Sequence, residues 1–137
     1  MNRLLAVLLL AGAVPAALAC GYCIEDKIAA AYDHAVVARA FGANHHVAFF
    51  HIEGALAPGE GTRRVLEALA NSAAGVDRGS ARVSVEALTL AVAFDPRRTP
   101  LASVHKALEK RLAAKKLTLM PLKVMERPAE LTAVRKF

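Results

Sequence analysis

The chain contains no tryptophan, two tyrosines and five phenylalanines in 137 residues, and only two cysteines. The shortage of rings bears on its positive balance, a formal net charge of +6. Basic residues crowd the end: Lys106, Lys110, Arg111, Lys115, Lys116, Lys123, Arg127, Arg135 and Lys136. A single-stranded nucleic-acid surface would interleave such residues with aromatic side chains for base stacking, and these are not so interleaved. They read as a solvated helix face and a polar tail, so no nucleic-acid partner is expected. Long apolar runs are missing as well. The run from Leu4 to about Val14 is too short to cross a bilayer, so the chain is not expected to span a membrane. No serine–histidine–acid arrangement, paired-carboxylate motif or phosphate loop is visible, and Gly59-Glu60-Gly61 is too short to cradle phosphate. A binding or transfer role is expected over an enzymatic one.

What is present begins with an address. Arg3, the apolar run and the small residues ending Ala17-Leu18-Ala19 make 1–19 a secretory signal peptide with a small-x-small cleavage site. Cleavage after Ala19 makes Cys20 the first residue of an exported, periplasmic protein, in a compartment where two thiols can pair. A lipoprotein signal also cleaves before a cysteine, which is then lipidated. Ala17 stands where such signals place a larger aliphatic residue, so the soluble form is the expectation. Removing 19 of 137 residues leaves 118, one domain's worth, and the loss of Arg3 takes the charge from +6 to +5.

In the remaining chain, Ile24, Ile28, Ala31, Ala35 and Ala38 recur at helical spacing, predicting a helix from Ile24 to about Phe41 that ends at Gly42 and Asn44. "HHVAFFHIE" reads as a strand closed by Gly54. After a glycine- and proline-bearing loop, Thr62 is the expected cap of a helix over Arg63–Ala74 with a stripe of Val65, Leu66, Leu69 and Ala73. "ARVSVEALTLAVAFD" alternates with period two and is long enough for two strands joined near Glu86–Leu88. Thr99-Pro100 opens a helix on Leu101, Val104, Leu108 and Leu112 that reaches about Lys115. A last strand, Leu117–Met125, contains Pro121, which suits a sheet edge.

The fold class is therefore α+β: a ferredoxin-like βαββαβ antiparallel sheet over 45–125 with an extra N-terminal helix. A CxxC segment and helix occupy 20–42, and 126–137 form a basic C-terminal tail. The first strand is apolar on both sides, Ala48, Phe50 and Ile52 on one and Val47 and Phe49 on the other. A central strand with a solvated face should alternate cleanly, so the second face needs a cover. The extra helix is the expected one, with a homodimer as the alternative.

On its strand order, on "VAFFHIEG" running into a loop and helix, and on "LTLAVAFDPRRTPLASVHKAL", the chain resembles the heavy-metal-associated domain over about 45–125. This is the small ferredoxin-like module of copper chaperones, mercury-binding periplasmic proteins and metal-pumping ATPases. That family binds its ion with two cysteines in the loop after the first strand. Here the loop is "GALAPGEGTRR", without cysteine, so the resemblance implies the fold and transfers no ligand.

The thiols lie elsewhere, in Cys20-Gly21-Tyr22-Cys23 at the start of the first helix, where unpaired N–H groups and the helix dipole favour a thiolate. Two thiolates so spaced can chelate one soft ion such as Cu(I), and a terminal Cys20 would add its amine. The same spacing serves disulfide exchange, or a structural disulfide. Thioredoxin-like enzymes place such a pair after a strand, and only the signal precedes Cys20. Among His34, His45, His46, His51 and His105, the nitrogen candidates are His34 and His51. His45 and His51 are six residues apart, roughly 20 Å along a strand, so they cannot share an ion. Cys20 and Cys23 with His34 or His51 would suit copper, with zinc second. Glu25, Asp26 and Asp33 are read as complementing the helix start. The expected role is binding or transfer of a thiophilic transition metal, probed against two alternatives: a thiol–disulfide redox protein and an interaction module. The expected partners are the ion and a periplasmic metal-handling or redox protein.

Overall fold

A computed structural model describes residues 23–129. The segment expected to be a signal peptide, Cys20 and most of the expected basic tail lie outside the described residues. Two helices come first, α1 (Ile24–Ala31) and α2 (His34–Gly42). They are followed by β1 (His46–Glu53), α3 (Glu60–Asn71), β2 (Arg82–Ser84), β3 (Thr89–Phe94), α4 (Leu101–Leu112) and β4 (Thr118–Met125). A 3₁₀ turn, Ala113–Lys115, extends α4 to the predicted end. The sheet order is β2-β3-β1-β4 with every neighbouring pair antiparallel, which is the ferredoxin-like arrangement. No helix among the described residues is long and apolar enough to cross a membrane.

One face of the sheet packs on α3 and α4. Its core joins Ala48, Phe50 and Ile52 to Leu90, Val92, Phe94, Leu66, Val104 and Leu108, with Leu69 at its margin. The other face carries Val47, Phe49, Ala91 and Ala93 beneath Ile28, Ala31, Val36, Val37 and Ala40. The N-terminal helices therefore provide the cover that β1 requires. Small residues at Ala91 and Ala93 let these helices lie close, and β3 is buried along its whole length. Phe49 and Phe50, adjacent in sequence, are buried in opposite cores, each contributing about 1.5–3 kcal/mol of apolar transfer.

Three local expectations are corrected. The single helix over 24–41 is two, because Tyr32 is extended at φ −73° and ψ 128° and Asp33 begins the chain anew. The Asp33 carboxylate accepts from the backbone N–H groups of Ala35 and Val36, capping α2. An aspartate within a helical pattern competes for such N–H groups, and here it wins. The next helix starts at Glu60, before Thr62, and ends at Asn71. Gly59 precedes it at φ 110°, a conformation suited to glycine, and Val65 on its predicted buried stripe is exposed. The α4 N-cap is Pro100, whose carbonyl receives Ser103 and Val104 N–H, so the proline sits one position earlier than expected.

β4 is an edge strand with its register shifted between Phe49 and Phe50 of its partner, and Pro121 stands opposite Phe50 at that irregularity. Having no N–H, the proline fits where a ladder bond is already interrupted.

Candidate metal centre

Cys23 is the N-cap of α1, in extended conformation, and is exposed. Its Sγ donates to Asp26 Oδ2 at 3.1 Å, and its carbonyl accepts the N–H of Lys27. Cys20 lies outside the described residues. Asp26 and Glu25 occupy the first turn, as expected of acids at a helix start.

Lys27, one turn on from Cys23, connects this helix end to the sheet. Its ammonium donates to the Ala87 carbonyl at 2.8 Å and stands 3.2 Å from Nδ1 of His51. His51 thus meets the covering helix at its first turn. The same Nδ1 is 3.1 Å from the Leu88 carbonyl. A carbonyl only accepts and an ammonium only donates, so a neutral imidazole nitrogen can serve one of the two. With the proton on Nδ1 and given to Leu88, Nε2 keeps its lone pair; an Nδ1 that accepts from Lys27 puts the proton on Nε2 instead. Leu88 itself has φ 52°, an uncommon conformation for leucine, in the turn between β2 and β3.

The remaining histidines are engaged elsewhere. His34 is exposed at the start of α2, beyond the Tyr32–Asp33 break, so all of α1 separates it from Cys23 in the chain. At the usual helical rise that is about 12 Å. His45 Nδ1–H donates to Asp77 Oδ2 at 2.6 Å, and its Nε2 is 3.6 Å from Asp95. Asp95 is held below the usual carboxylate range chiefly by its hydrogen bond from Arg97, with the nearby His45 adding to the effect. His46 lies edge-on to Phe94 with ring centres 5.9 Å apart. His105 packs on Phe50 and donates from Nε2 to the Leu119 carbonyl at 2.8 Å. Among the described residues, no three His, Cys, Asp or Glu side chains form a cluster able to hold an ion. The structure brings the Cys23 end of α1 toward His51 and leaves His34 apart.

The loop after β1 has a different character. A cleft of about 300 Å³ is lined there by Ala55, Leu56, Thr62, Val65, Leu66 and Leu117, among others, with Lys115 as its one charged residue. It offers an ion neither thiolate nor imidazole. Sequence reasoning missed Lys27 and Leu88 beside His51, because both contacts depend on how α1 and the β2–β3 turn meet in space.

No protein-family model matches the chain, and no curated protein does. Solved structures similar to it include a copper binding domain from HMA7, a P-type ATPase. That match has 16% identity and a TM-score of 0.45, covering 58% of this chain and 96% of that one. Another is the N-terminal domain of a potential copper-translocating P-type ATPase from Bacillus subtilis in the Cu(I)-loaded state. Its identity is 21% and its TM-score 0.45, covering 59% of this chain and 91% of that one. A third is the N-terminal domain of the zinc(II) ATPase ZiaA in its apo form, with 21% identity, a TM-score of 0.41 and coverage of 55% and 63%.

Proposed function

We propose that this protein binds and passes on a thiophilic transition metal in the periplasm, Cu(I) first and zinc second, through Cys20 and Cys23. His51 is the nitrogen donor in this reading. The observation that carries it is the seating of α1: Lys27, bonded through its N–H to the carbonyl of Cys23, reaches His51 on the sheet. An exposed thiol thereby stands at the entry of the helix whose first turn reaches the His51 imidazole. Soft sulfur with imidazole selects Cu(I) and zinc over hard cations. The exposure of Cys23 suits delivery as well as binding, since a partner's ligands must reach the ion to take it.

Only deprotonated sulfur ligates, so binding requires the reduced pair and releases protons. Anaerobic titration of the reduced mature protein, competed with a chromophoric Cu(I) chelator, should give about one ion per chain. Cys23→Ser should weaken binding by several kcal/mol, on the order expected when one of two chelating thiolates is lost. His51→Ala should cost less. A double cysteine variant that binds as well as the parent would defeat the reading. Weak binding together with reversible oxidation and catalysed thiol–disulfide exchange would place the pair in redox chemistry.

A further inference from the structure

The register of β4 brings another soft donor into this neighbourhood. Met120 is the direct partner of His51 across the β1–β4 ladder. Directly opposed side chains on antiparallel strands share a face, with Cβ atoms about 4.5–5.5 Å apart. Leu119 and Ile52, the adjacent pair, point into the opposite core, so Met120 and His51 together face the α1 side. Leu119 is buried, whereas Met120 is 47% exposed and remains approachable. After Met1, the sequence has two methionines, Met120 and Met125, and both stand on β4 at this face.

We infer that Met120 is a ligand of the metal, its thioether joining the His51 imidazole and the Cys23 thiolate to make a site selective for Cu(I) over Zn(II). The inference rests on the metal reading of Cys20 and Cys23. A thioether is soft and uncharged. It adds affinity for Cu(I) and little for zinc, whose protein ligands are thiolate, imidazole and carboxylate. Met125 is paired with Val47, five residues further along β4, too far to share the ion with Met120.

The test uses the full mature chain, reduced, with Cu(I) and Zn(II) titrated separately against competing chelators. Met120→Leu keeps the side-chain volume and removes the sulfur. It should weaken Cu(I) binding about tenfold, a change of about 1.4 kcal/mol, and leave Zn(II) binding unchanged. Met125→Leu should alter neither. In the parent protein, Ag(I), a redox-inert stand-in for Cu(I), should shift the NMR signal of the Met120 methyl group and not that of Met125. If Met120→Leu binds Cu(I) as the parent does and the methyl signal stays still, the inference is overturned while the cysteine site stands. If Cys23→Ser also binds as the parent does, the cysteine reading has failed with it.

Discussion

The ammonium of Lys27 lies where a cation at His51 would meet it. It contacts Nδ1 while donating to the Ala87 carbonyl, so it both anchors α1 and places positive charge beside the proposed ion. Like charges a few ångströms apart at a partly solvated site repel by up to about 4 kcal/mol at an effective dielectric near 20, less after screening. Lys27→Leu retains part of the apolar stem and removes the charge without adding a thioether. The variant should bind Cu(I) roughly threefold to tenfold more tightly, an effect of about 1 kcal/mol, well within that bound. It should also lose about 1 kcal/mol of folding stability with the hydrogen bond to Ala87. Titration and urea denaturation measure the two effects separately, and unchanged metal affinity would show that Lys27 has no electrostatic role. Cys23 and His51 stood out in the sequence as candidate donors because their chemistry is intrinsic to residue type. Lys27 and Met120 were not, since their positions depend on helix docking and on a register displaced by the irregularity opposite Phe49 and Phe50.

At the scale of elements, periodicity was a sound guide where one driving force dominated. The two-sided apolar character of "VAFFHIE" called for two cores, and Val47 with Phe49 and Ala48 with Phe50 fill them. The break between α1 and α2 was hidden because Asp33 fits a helix surface as readily as a cap. Its Oδ1 holds two N–H groups of α2 while Oδ2 accepts from Arg82 Nε at 2.8 Å. The Arg82 hydrogen bond is the main cause that lowers the Asp33 pKa below 3.8. A carboxyl with a depressed folded-state pKa contributes stability above its unfolded value, and that contribution is lost as pH falls through the lower folded value. Asp33→Ala should cost about 1 kcal/mol by removing the cap. Asp33→Asn keeps the cap and loses the half-exposed ion pair, a smaller loss of at most about 1 kcal/mol. Urea midpoints should therefore converge for parent and Asp33→Asn as pH drops below 3.8, and midpoints that diverge there would contradict this account.

In the whole molecule, the two βαβ halves protect the sheet edges by the same device. Glu67 of α3 accepts the N–H of Val83 on edge strand β2 at 3.0 Å, and Glu109 of α4 accepts that of Leu119 on edge strand β4 at 3.0 Å. Each glutamate pairs with a cation-capable residue one turn earlier, Arg63 or His105. At one constant offset in the chain, Arg63, Leu66, Glu67 and Ala70 of α3 correspond to His105, Leu108, Glu109 and Leu112 of α4. Unpaired edge N–H groups are templates for joining another chain, and these carboxylates occupy two of them. Glu67→Ala and Glu109→Ala should each cost about 1 kcal/mol, the usual worth of a hydrogen bond whose donor is then left to weak solvation. The sites lie on opposite edges, so the costs should add. Opening both edges should also promote concentration-dependent association, visible by light scattering after size-exclusion chromatography. A double variant no less stable than either single one, and monomeric at every concentration, would show that the carboxylates are incidental to edge protection.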